Sequence, residues 1–369
     1  VLLCLRLVSN SGNQFGSRSI PEYLGIRYQS PWIRILVSIF SLSLFFYLAG
    51  QLVSGIVMFE IMLGVPKMAA LIITSVVLLI YVVLGGAHAD ILTDGVQGFI
   101  MVGVGVLVAV LFCLGYGIEG GFDGMISALG SQDENLVGWL NVTDVLYHSW
   151  WAVFAVFLAH VPLGMLPHIG NKLWALKEPT QRMQFIRLAF VFALILAMLG
   201  FGGIMARVIL GEGIDSNQAL ALLFIDLFPS WFAALLGVGI LAAVMSTADG
   251  LVVSSSQIVA NDLYRLSFVP RYRKDLSEEE IERRSLNISR ISTVVIMILC
   301  TLLAWQTLDM NVTILVWIGV GCMMAAFAGP LILGSVWSGV TKAGAFAGLL
   351  TGGGVYIITY LGVINPEWF

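Results

Sequence analysis

Residues 237–265 read GVGILAAVMSTADGLVVSSSQIVANDLYR, and this stretch decides the fold. At 1.5 Å per residue, a helix of this length is long enough to cross a bilayer. Its small and hydroxyl residues share one helical stripe because they recur at spacings of three and four: Gly239, Ala243, Ser246, Gly250 and Ser254. A lipid-facing helix has no use for such a stripe, whereas a helix inside a bundle needs it for close packing. The pattern therefore predicts a membrane helix in the interior of a helical bundle.

Three oxygen-bearing side chains lie close together in the middle of this helix, namely Ser246, Thr247 and Asp249. Hard cations such as sodium take oxygen ligands, so the segment is a candidate cation site. In the alternative, the two hydroxyls bond back to the carbonyl four residues earlier, as they often do in membrane helices. The spacing alone leaves both interpretations open.

Composition identifies the chain as a polytopic membrane protein. Hydrophobic residues make up 59% of the chain and charged residues 11%, whereas a soluble domain carries about 25% charged residues. Acidity and hydrophobicity argue against nucleic acid as a main partner. The sequence has no metal-ligand cluster, nucleophile elbow or phosphate-cradling loop, so we do not expect an enzyme.

Apolar runs predict nine spanning segments within a single transmembrane domain that fills residues 1–369. The segments are 33–62, 67–86, 91–117, 148–170, 184–210, 231–263, 287–306, 311–337 and 342–362. The connector after the fifth segment is expected to hold a short helix at 219–228. We expect the hydrophilic stretch 265–290, with its three glutamates at 278–280, to form a helix on the membrane surface.

The distribution of Lys and Arg predicts the orientation of these segments, because cytoplasmic loops carry the excess of positive charge. If the segments alternate, only Lys67 and Arg207 of the 18 cationic residues fall on the other side. We therefore expect residues 1–32, 171–187 and 265–290 to be cytoplasmic. The expected location is the plasma (inner) membrane, with the lipid bilayer as a partner and the oligomeric state left open.

The fourth segment contains helix-breaking residues in the run AHVPLGMLPHIGN, residues 159–171. Proline removes a backbone donor, and in lipid a freed carbonyl is tolerated only where protein, water or a ligand satisfies it. Discontinuous helices of this kind form midplane binding sites in inverted-repeat transporters. The alternative is a simple proline kink, and a histidine near a helix end, such as His160 or His168, is more often structural than a proton relay.

Four motifs, in this order along the chain, resemble those of the sodium/solute symporter family. They are IPEYLGIRY at 20–28, GGAHADILTDGVQ at 85–97, PH at 167–168, and AVMSTAD, SSS and DLYR at 243–249, 254–256 and 262–265. The resemblance covers nearly the whole chain. It implies an all-α, inverted-repeat helical bundle of the leucine-transporter type. The sequence departs from the Gly-Gln-Pro-His form of proline-type members, because Leu166 stands where that Gln would be.

The resemblance also implies roles for individual residues. Sodium, the co-transported ion, is expected at Ala243, Ser246 and Thr247. Asp94 matches an aspartate implicated in the passage of sodium to the cytoplasm, and no cation lies near it in sequence. For the substrate site we expect residues on three segments, although aromatic residues in membrane helices are more often packing: Pro167, His168, Tyr47, Gln51 and Trp317.

Two functions compete at this point. The first is a secondary transporter that couples sodium entry to uptake of a small organic solute by alternating access, with monocarboxylate or pantothenate-like compounds, amino acids and sugars all open. The second is a membrane sensor module of the same fold joined to a signalling domain. Residues 1–7 read like the inner end of a helix, so we expect a fragment truncated at the N-terminus. We expect a truncation at the C-terminus as well.

Overall fold

The computed structural model describes residues 12, 14–144, 146–160, 166–176 and 178–363, without the side chains of residues 84–92, 173, 175 and 179. Within these ranges every regular element is a helix, as expected for an all-α membrane protein. The helices pack around one long buried helix near the N-terminus, which places the candidate site residues between neighbouring helices.

The buried helix is reached through two short capped helices. Helix α1 (Ile20–Arg27) and helix α2 (Pro31–Ser41) each begin behind a serine whose hydroxyl accepts a hydrogen bond from the first turn, which satisfies a backbone donor that has no partner within the helix. Helix α3 (Leu44–Leu63) follows after a tight turn and ends at Gly64 in the left-handed conformation. Its inward face is almost fully buried, at Leu44, Leu48, Leu52 and Ile56. Helices α2 and α3 together confirm the predicted segment 33–62.

Helix α4 (Lys67–Leu114) is continuous over 48 residues, where the sequence predicts two segments, 67–86 and 91–117. The hydroxyls of Tyr81 and Thr93, separated by 12 positions, are nevertheless in hydrogen-bonding contact. A straight α-helix would separate them by about 18 Å, so the chain must change direction between them. The prediction of a break between the two segments is therefore wrong, because helical residues join them. The expected alternation of the two segments, which requires the chain to turn, agrees with the contact between Tyr81 and Thr93.

The next elements bear on the predicted broken segment, 148–170. Helix α5 (Gly121–Gln132) and a short 3-10 helix (Glu134–Leu136) lie in the loop before it. Helix α6 (Trp150–His160) and helix α7 (Pro167–Ala175) then follow as separate helices. Residues 161–165, which include Pro162 and Gly164, lie outside the described residues. Helix α7 extends beyond the predicted end at residue 170, and this extension carries Lys172.

Three helices lead to a fourth that carries the candidate cation ligands. They are α8 (Pro179–Ala197), α9 (Gly200–Ile209), α10 (Ala219–Leu227) and α11 (Ser230–Gln257). The first pair covers the predicted segment 184–210, and α10 is the short helix predicted at 219–228. The small-residue stripe of α11 does face neighbouring helices, because a Cβ on Gly239 would lie 2.7 Å from a methyl carbon of Val104.

Helix α11 continues beyond the predicted end at residue 263. It passes into a π-helical stretch (Ile258–Phe268) and then into helix α12 (Val269–Tyr272). Asp262 is fully buried in the π-helical stretch, where one carboxylate oxygen accepts a hydrogen bond of 2.7 Å from the hydroxyl of Ser19. Because Ser19 also caps α1, this contact ties the first described helix to the end of the cation helix.

Helix α13 (Glu278–Gln306) corrects the prediction of a surface helix in the stretch 265–290. The glutamates at 278–280 form the first turn of a spanning helix. Ser277 and Glu280 cap each other's backbone N–H groups at 3.3 Å, and negative side chains in the first turn favour the helix dipole. The hydrophilic residues up to 290 are thus the end of a long helix that leaves the membrane.

The last elements are helix α14 (Val312–Phe327), a second π-helical stretch (Ala328–Leu333), helix α15 (Gly334–Val336) and helix α16 (Lys342–Tyr360). The Tyr28 hydroxyl donates a 2.6 Å hydrogen bond to the Pro330 carbonyl. Burial raises the pKa of Tyr28 to about 12, so this phenol stays a donor throughout the physiological range. The α1–α2 connection is thereby fixed to the end of α14.

Seven helices of the described chain are long and apolar enough to cross a membrane. Two further apolar stretches, Lys67–Val83 of α4 and Trp150–His160, are shorter within the described residues, and the predicted count of nine is not confirmed. Large apolar side chains cover the outward faces of several spans, for example Phe190, Leu194, Ile298 and Leu302. Such surfaces require lipid around them, and the chain is a multi-pass membrane protein.

The polar contacts separate into two ends of the bundle. At one end Arg34 binds the carbonyl of Leu266 and Arg27 binds those of Gly334 and Trp337, so basic segments that are distant in sequence meet. At the other end the contacts join the loops outside α5, α9 and α14, through Arg207 with Gln132 and Glu212, and Asn311 with Ser216.

Candidate functional site

The expected sodium ligands lie on one face of α11 and make two different hydrogen bonds. The Thr247 hydroxyl donates to the Ala243 carbonyl at 3.1 Å, which is the local bond of the alternative interpretation. The Ser246 hydroxyl instead crosses to α4 and donates to a carboxylate oxygen of Asp94 at 2.5 Å. Both hydroxyls are half-buried. The backbone and side-chain oxygens of these three residues therefore lie within one helical turn.

Asp94 joins this group to a third helix. Its second carboxylate oxygen forms an ion pair with the ammonium of Lys172 on α7, and both side chains are largely shielded, with 22% and 28% exposure. The carboxylate is thus held between one hydroxyl and one ammonium, and these two contacts offset the free-energy cost of burying its charge. The three residues Lys172, Asp94 and Ser246, here called the polar relay, connect α7, α4 and α11.

Lys172 is the participant that sequence reasoning missed, because it lies 78 positions from Asp94. One signal was available in the sequence. His168 and Lys172 are four residues apart, so they share a face of any helix that spans both. A cation on the same face as the Pro-His motif points toward the site.

Asp249, the third oxygen-bearing residue of the motif, is more deeply buried than Ser246 and Thr247. Asp249 is fully buried, and one carboxylate oxygen accepts a 2.7 Å bond from the backbone N–H of Gly250. The contact turns this carboxylate toward its own helix.

The expected substrate residues form two aromatic pairs. The rings of Tyr47 on α3 and His168 on α7 meet edge to face, with centroids 6.2 Å apart. The rings of Trp317 on α14 and His160 on α6 meet in the same way at 4.9 Å. Four helices are thereby brought together, although the two pairs are not in direct ring contact with each other.

The remaining expected residues lie beside these pairs. Pro167 is buried as the first residue of α7, directly before His168, and Gln51 is half-buried one turn after Tyr47 on α3. Helix α14 packs closely on α3, since the Ser43 hydroxyl donates to the Gly319 carbonyl at 2.7 Å. Within the described residues, the buried Nδ1 atom of His168 has no hydrogen-bond partner. A buried polar atom without a partner is available to a ligand.

Comparison with known proteins agrees with this arrangement. The model of the "Sodium:solute symporter family" matches residues 1–352. The sodium/pantothenate symporter of Escherichia coli (strain K12) is 26% identical over 366 residues, which cover 96% of this chain and 71% of that protein. The high-affinity proline transporter PutP of Bacillus subtilis (strain 168) is 28% identical over 358 residues, or 93% and 70% of the two chains.

The fold is similar to that of a solved Na⁺-coupled sialic acid symporter in a substrate-bound, outward-open state. The TM-score is 0.63 and the identity 17%, over 97% of this chain and 83% of that chain. This likeness concerns the fold alone and confirms the inverted-repeat architecture of the leucine-transporter type. The relatives are transporters, not enzymes, and none supports the alternative of a sensor module. The match over residues 1–352 shows that the chain belongs to the sodium:solute symporter family.

Proposed function

We propose that this protein couples sodium entry to the uptake of a small organic solute by alternating access. One observation carries the proposal, namely that helix α7 takes part in both candidate sites. Its Lys172 ends the polar relay to the cation helix, and its His168 packs on Tyr47 at the expected solute site. A shift of one short helix would change both sites at once, which is the physical requirement for coupling.

In this proposal, sodium binds to the Ala243 carbonyl and the hydroxyls of Ser246 and Thr247. These are hard oxygen ligands of the kind that sodium prefers. A hydroxyl binds a cation through its lone pairs while its proton points elsewhere. Ser246 can therefore keep donating to Asp94, and Thr247 to Ala243, while both oxygens face the ion.

We propose that the ion contacts Asp94 next, as it moves from Ser246 to the cytoplasm. Its carboxylate lies 2.5 Å from the Ser246 oxygen, so an ion that leaves Ser246 meets a negative charge at once. The ammonium of Lys172 occupies the other side of this carboxylate. Since two cations compete for one carboxylate, Lys172 favours release of the sodium ion.

For the solute we propose a small polar organic molecule that contacts Tyr47, Gln51, Pro167, His168 and Trp317. The free Nδ1 atom of His168 supplies a hydrogen-bonding group, and the aromatic rings supply apolar walls. Because Leu166 replaces the Gln of proline-type members, we rank pantothenate-like monocarboxylates first, with amino acids and sugars behind them.

The proposed topology puts residues 1–32, 171–187 and 265–290 in the cytoplasm. It is supported by the contacts of the basic segments, because Arg34 meets Leu266 and Arg27 meets Trp337 at one end of the bundle. The polar relay lies near this same end, since Asp94 is close to the start of the expected segment 91–117 and Lys172 belongs to the basic stretch 171–187. Sodium released through Asp94 would then enter the cytoplasm.

The proposal is tested with the full-length protein in proteoliposomes. Uptake of pantothenate, proline, sialic acid and glucose is measured with an inward sodium gradient, and again with a potassium gradient of equal size. We expect one solute class to accumulate above its external concentration only with sodium. Accumulation that is the same in potassium, or accumulation of none of the four, would overturn the proposal as stated.

A further inference from the structure

A groove of about 600 Å³ opens between the beginning of α2 and the end of the cation helix. One wall is formed by Trp32 and Arg34, and the other by Phe268, Arg271 and Lys274. The candidate span Pro31–Leu63 begins at the first wall, and the span Ser230–Tyr272 ends at the second. The groove therefore lies where these two candidate spans meet at one end of the bundle.

The groove carries positive charge without matching carboxylates. The guanidinium of Arg271 stacks over the rings of Trp32 and Tyr272, at 5.4 Å and 5.6 Å from their centroids. The nearby acids belong to other partners, since Asp275 pairs with Arg273. In the described part of the chain, no carboxylate lies within 4.0 Å of the side-chain nitrogens of Arg271 or Lys274. The two cations are thus free to bind an external anion.

The same groove exposes aromatic surface. Trp32 is 54% exposed, Phe268 45% and Tyr272 61%. Amphipathic rings at the end of a membrane span lie at headgroup level, with their apolar faces toward the acyl chains. An occupant that suits this groove has an anionic head and an apolar tail.

We propose that this groove binds the phosphate headgroup of an anionic phospholipid. The guanidinium of Arg271 and the ammonium of Lys274 contact the phosphate, and the acyl chains cover Trp32 and Phe268. Basic pockets between membrane helices on the cytoplasmic side bind anionic lipid headgroups in this way. Soluble phosphate would leave the exposed rings uncovered, so the lipid is the better fit. The inference rests on the proposed topology, which puts the groove on the cytoplasmic face.

The bound lipid would have a structural consequence. Arg34 already joins the two walls, because it donates to Ser267 at 3.1 Å and to the Leu266 carbonyl. A lipid whose phosphate contacts Arg271 and Lys274 and whose acyl chains cover Trp32 would touch both walls and add a second connection between them. We therefore expect lipid binding to stabilise the full-length protein against heat.

The test uses the purified full-length protein and native mass spectrometry in the presence of phosphatidylglycerol or phosphatidylcholine. The wild type should retain phosphatidylglycerol about tenfold better than phosphatidylcholine. The double variant Arg271→Gln/Lys274→Gln should lose that preference. The matched control Arg283→Gln/Arg290→Gln, which removes two exposed cations from α13, should keep it. If the first double variant does not remain monodisperse, Lys274→Gln alone replaces it and should weaken retention about threefold.

Several outcomes would overturn the inference. Equal retention of both lipids by the wild type excludes an anion-specific site, and equal losses in the two double variants show a general effect of charge. Displacement of the lipid by glycerol phosphate, which has the head but no tail, would identify a soluble phosphate ligand instead. None of these measurements requires transport, so a protein that binds phosphatidylglycerol but fails the uptake assay would refute the proposed symport only.

Discussion

Ser246 and Thr247 are neighbours in the chain, yet their hydroxyls are committed to different partners. The Thr247 bond to Ala243 stays within one helix turn, whereas the Ser246 bond to Asp94 joins two helices. A local bond reforms wherever the helix goes, but a bond between helices depends on their relative position. Thr247 is therefore the better probe of sodium affinity, and Ser246 reports on affinity and helix packing together.

The Thr247 hydroxyl is expected to be a sodium ligand in the full-length protein. Thr247→Ala should raise the sodium concentration for half-maximal uptake about tenfold, because one ligand is lost, while Thr247→Ser keeps the oxygen and should stay close to wild type. The control is Thr351→Ala, which removes a comparable bond to the carbonyl of Ala347 on α16, far from the site. Unchanged sodium dependence in Thr247→Ala at normal expression would remove Thr247 from the ligand set.

The competition between Lys172 and sodium gives a second prediction. Lys172→Gln frees one side of the Asp94 carboxylate, so the half-maximal sodium concentration should fall about threefold and turnover should slow. Lys67→Gln is the control, because it breaks a pair with Glu60 at the opposite end of the bundle.

Asp94→Asn tests the same competition from the other partner. It keeps the size of the side chain and an acceptor for Ser246 but removes the charge, so it should slow turnover more than it weakens solute binding. In this background Lys172→Gln should have no further effect on sodium dependence. Additive effects of the two changes would show that the ammonium does not act through Asp94.

At the scale of the secondary-structure element, α7 is the part that both sites share. It is short, it begins at Pro167, and it carries His168 and Lys172 on one face. Proline is tolerated at the first position of a helix because its missing N–H would have no partner there. Proline therefore destabilises α7 little at this position, so the role of Pro167 has to be tested by transport and not by the stability of the helix.

Pro167→Ala tests whether this proline matters for transport. The variant should insert and should be at least as heat-stable in detergent as the wild type, while its uptake is impaired. Because α11 is unchanged, sodium should still protect a cysteine introduced at Ala243 from thiol labelling. Normal uptake would reduce Pro167 to a packing residue. Loss of sodium protection together with uptake would show that the cation and solute sites are one inseparable unit.

The sequence predicts most of the helices, and the helix contacts that it does not predict have physical causes. The spacing of small residues in α11 predicts an interior helix, and Gly239 does lie against Val104. The pairing of Lys172 with Asp94 depends on the approach of two helices, which no local pattern encodes. The acidic run at 278–280 looks like a surface helix because it is hydrophilic, but Ser277 caps it as the first turn of a longer helix.

At the scale of the whole molecule, the two ends of the bundle differ in charge and in their connections. The end that gathers the basic segments also contains Asp94, Lys172 and the proposed lipid groove. The other end contains the contacts of Arg207 and the loop with α5, which is acidic because it carries Glu119, Asp123, Asp133, Glu134 and Asp144. In the proposed topology, sodium enters from the acidic end, binds at Ser246 beside the polar relay, and leaves near fixed cations that favour its release.

This topology predicts the reactivity of introduced cysteines. In a variant whose native cysteines are replaced by alanine, a cysteine at Asn141 should react with a membrane-impermeant maleimide in intact cells, because residue 141 follows α5 at the end of the bundle opposite the basic segments. A cysteine at Ser277 should react only after the membrane is opened. The reverse pattern would invert the orientation, and would also place the exit of sodium on the wrong side for symport into the cell.

The central claim is that one movement couples sodium to solute, and the flux of sodium driven by solute tests it most directly. Proteoliposomes of the full-length protein are prepared with equal sodium on both sides and an inward gradient of the solute identified in the uptake panel. Because coupling is reciprocal, the account predicts that radioactive sodium accumulates inside against its own gradient, and that Thr247→Ala strongly reduces this accumulation. Solute entry with no net movement of sodium would contradict the account.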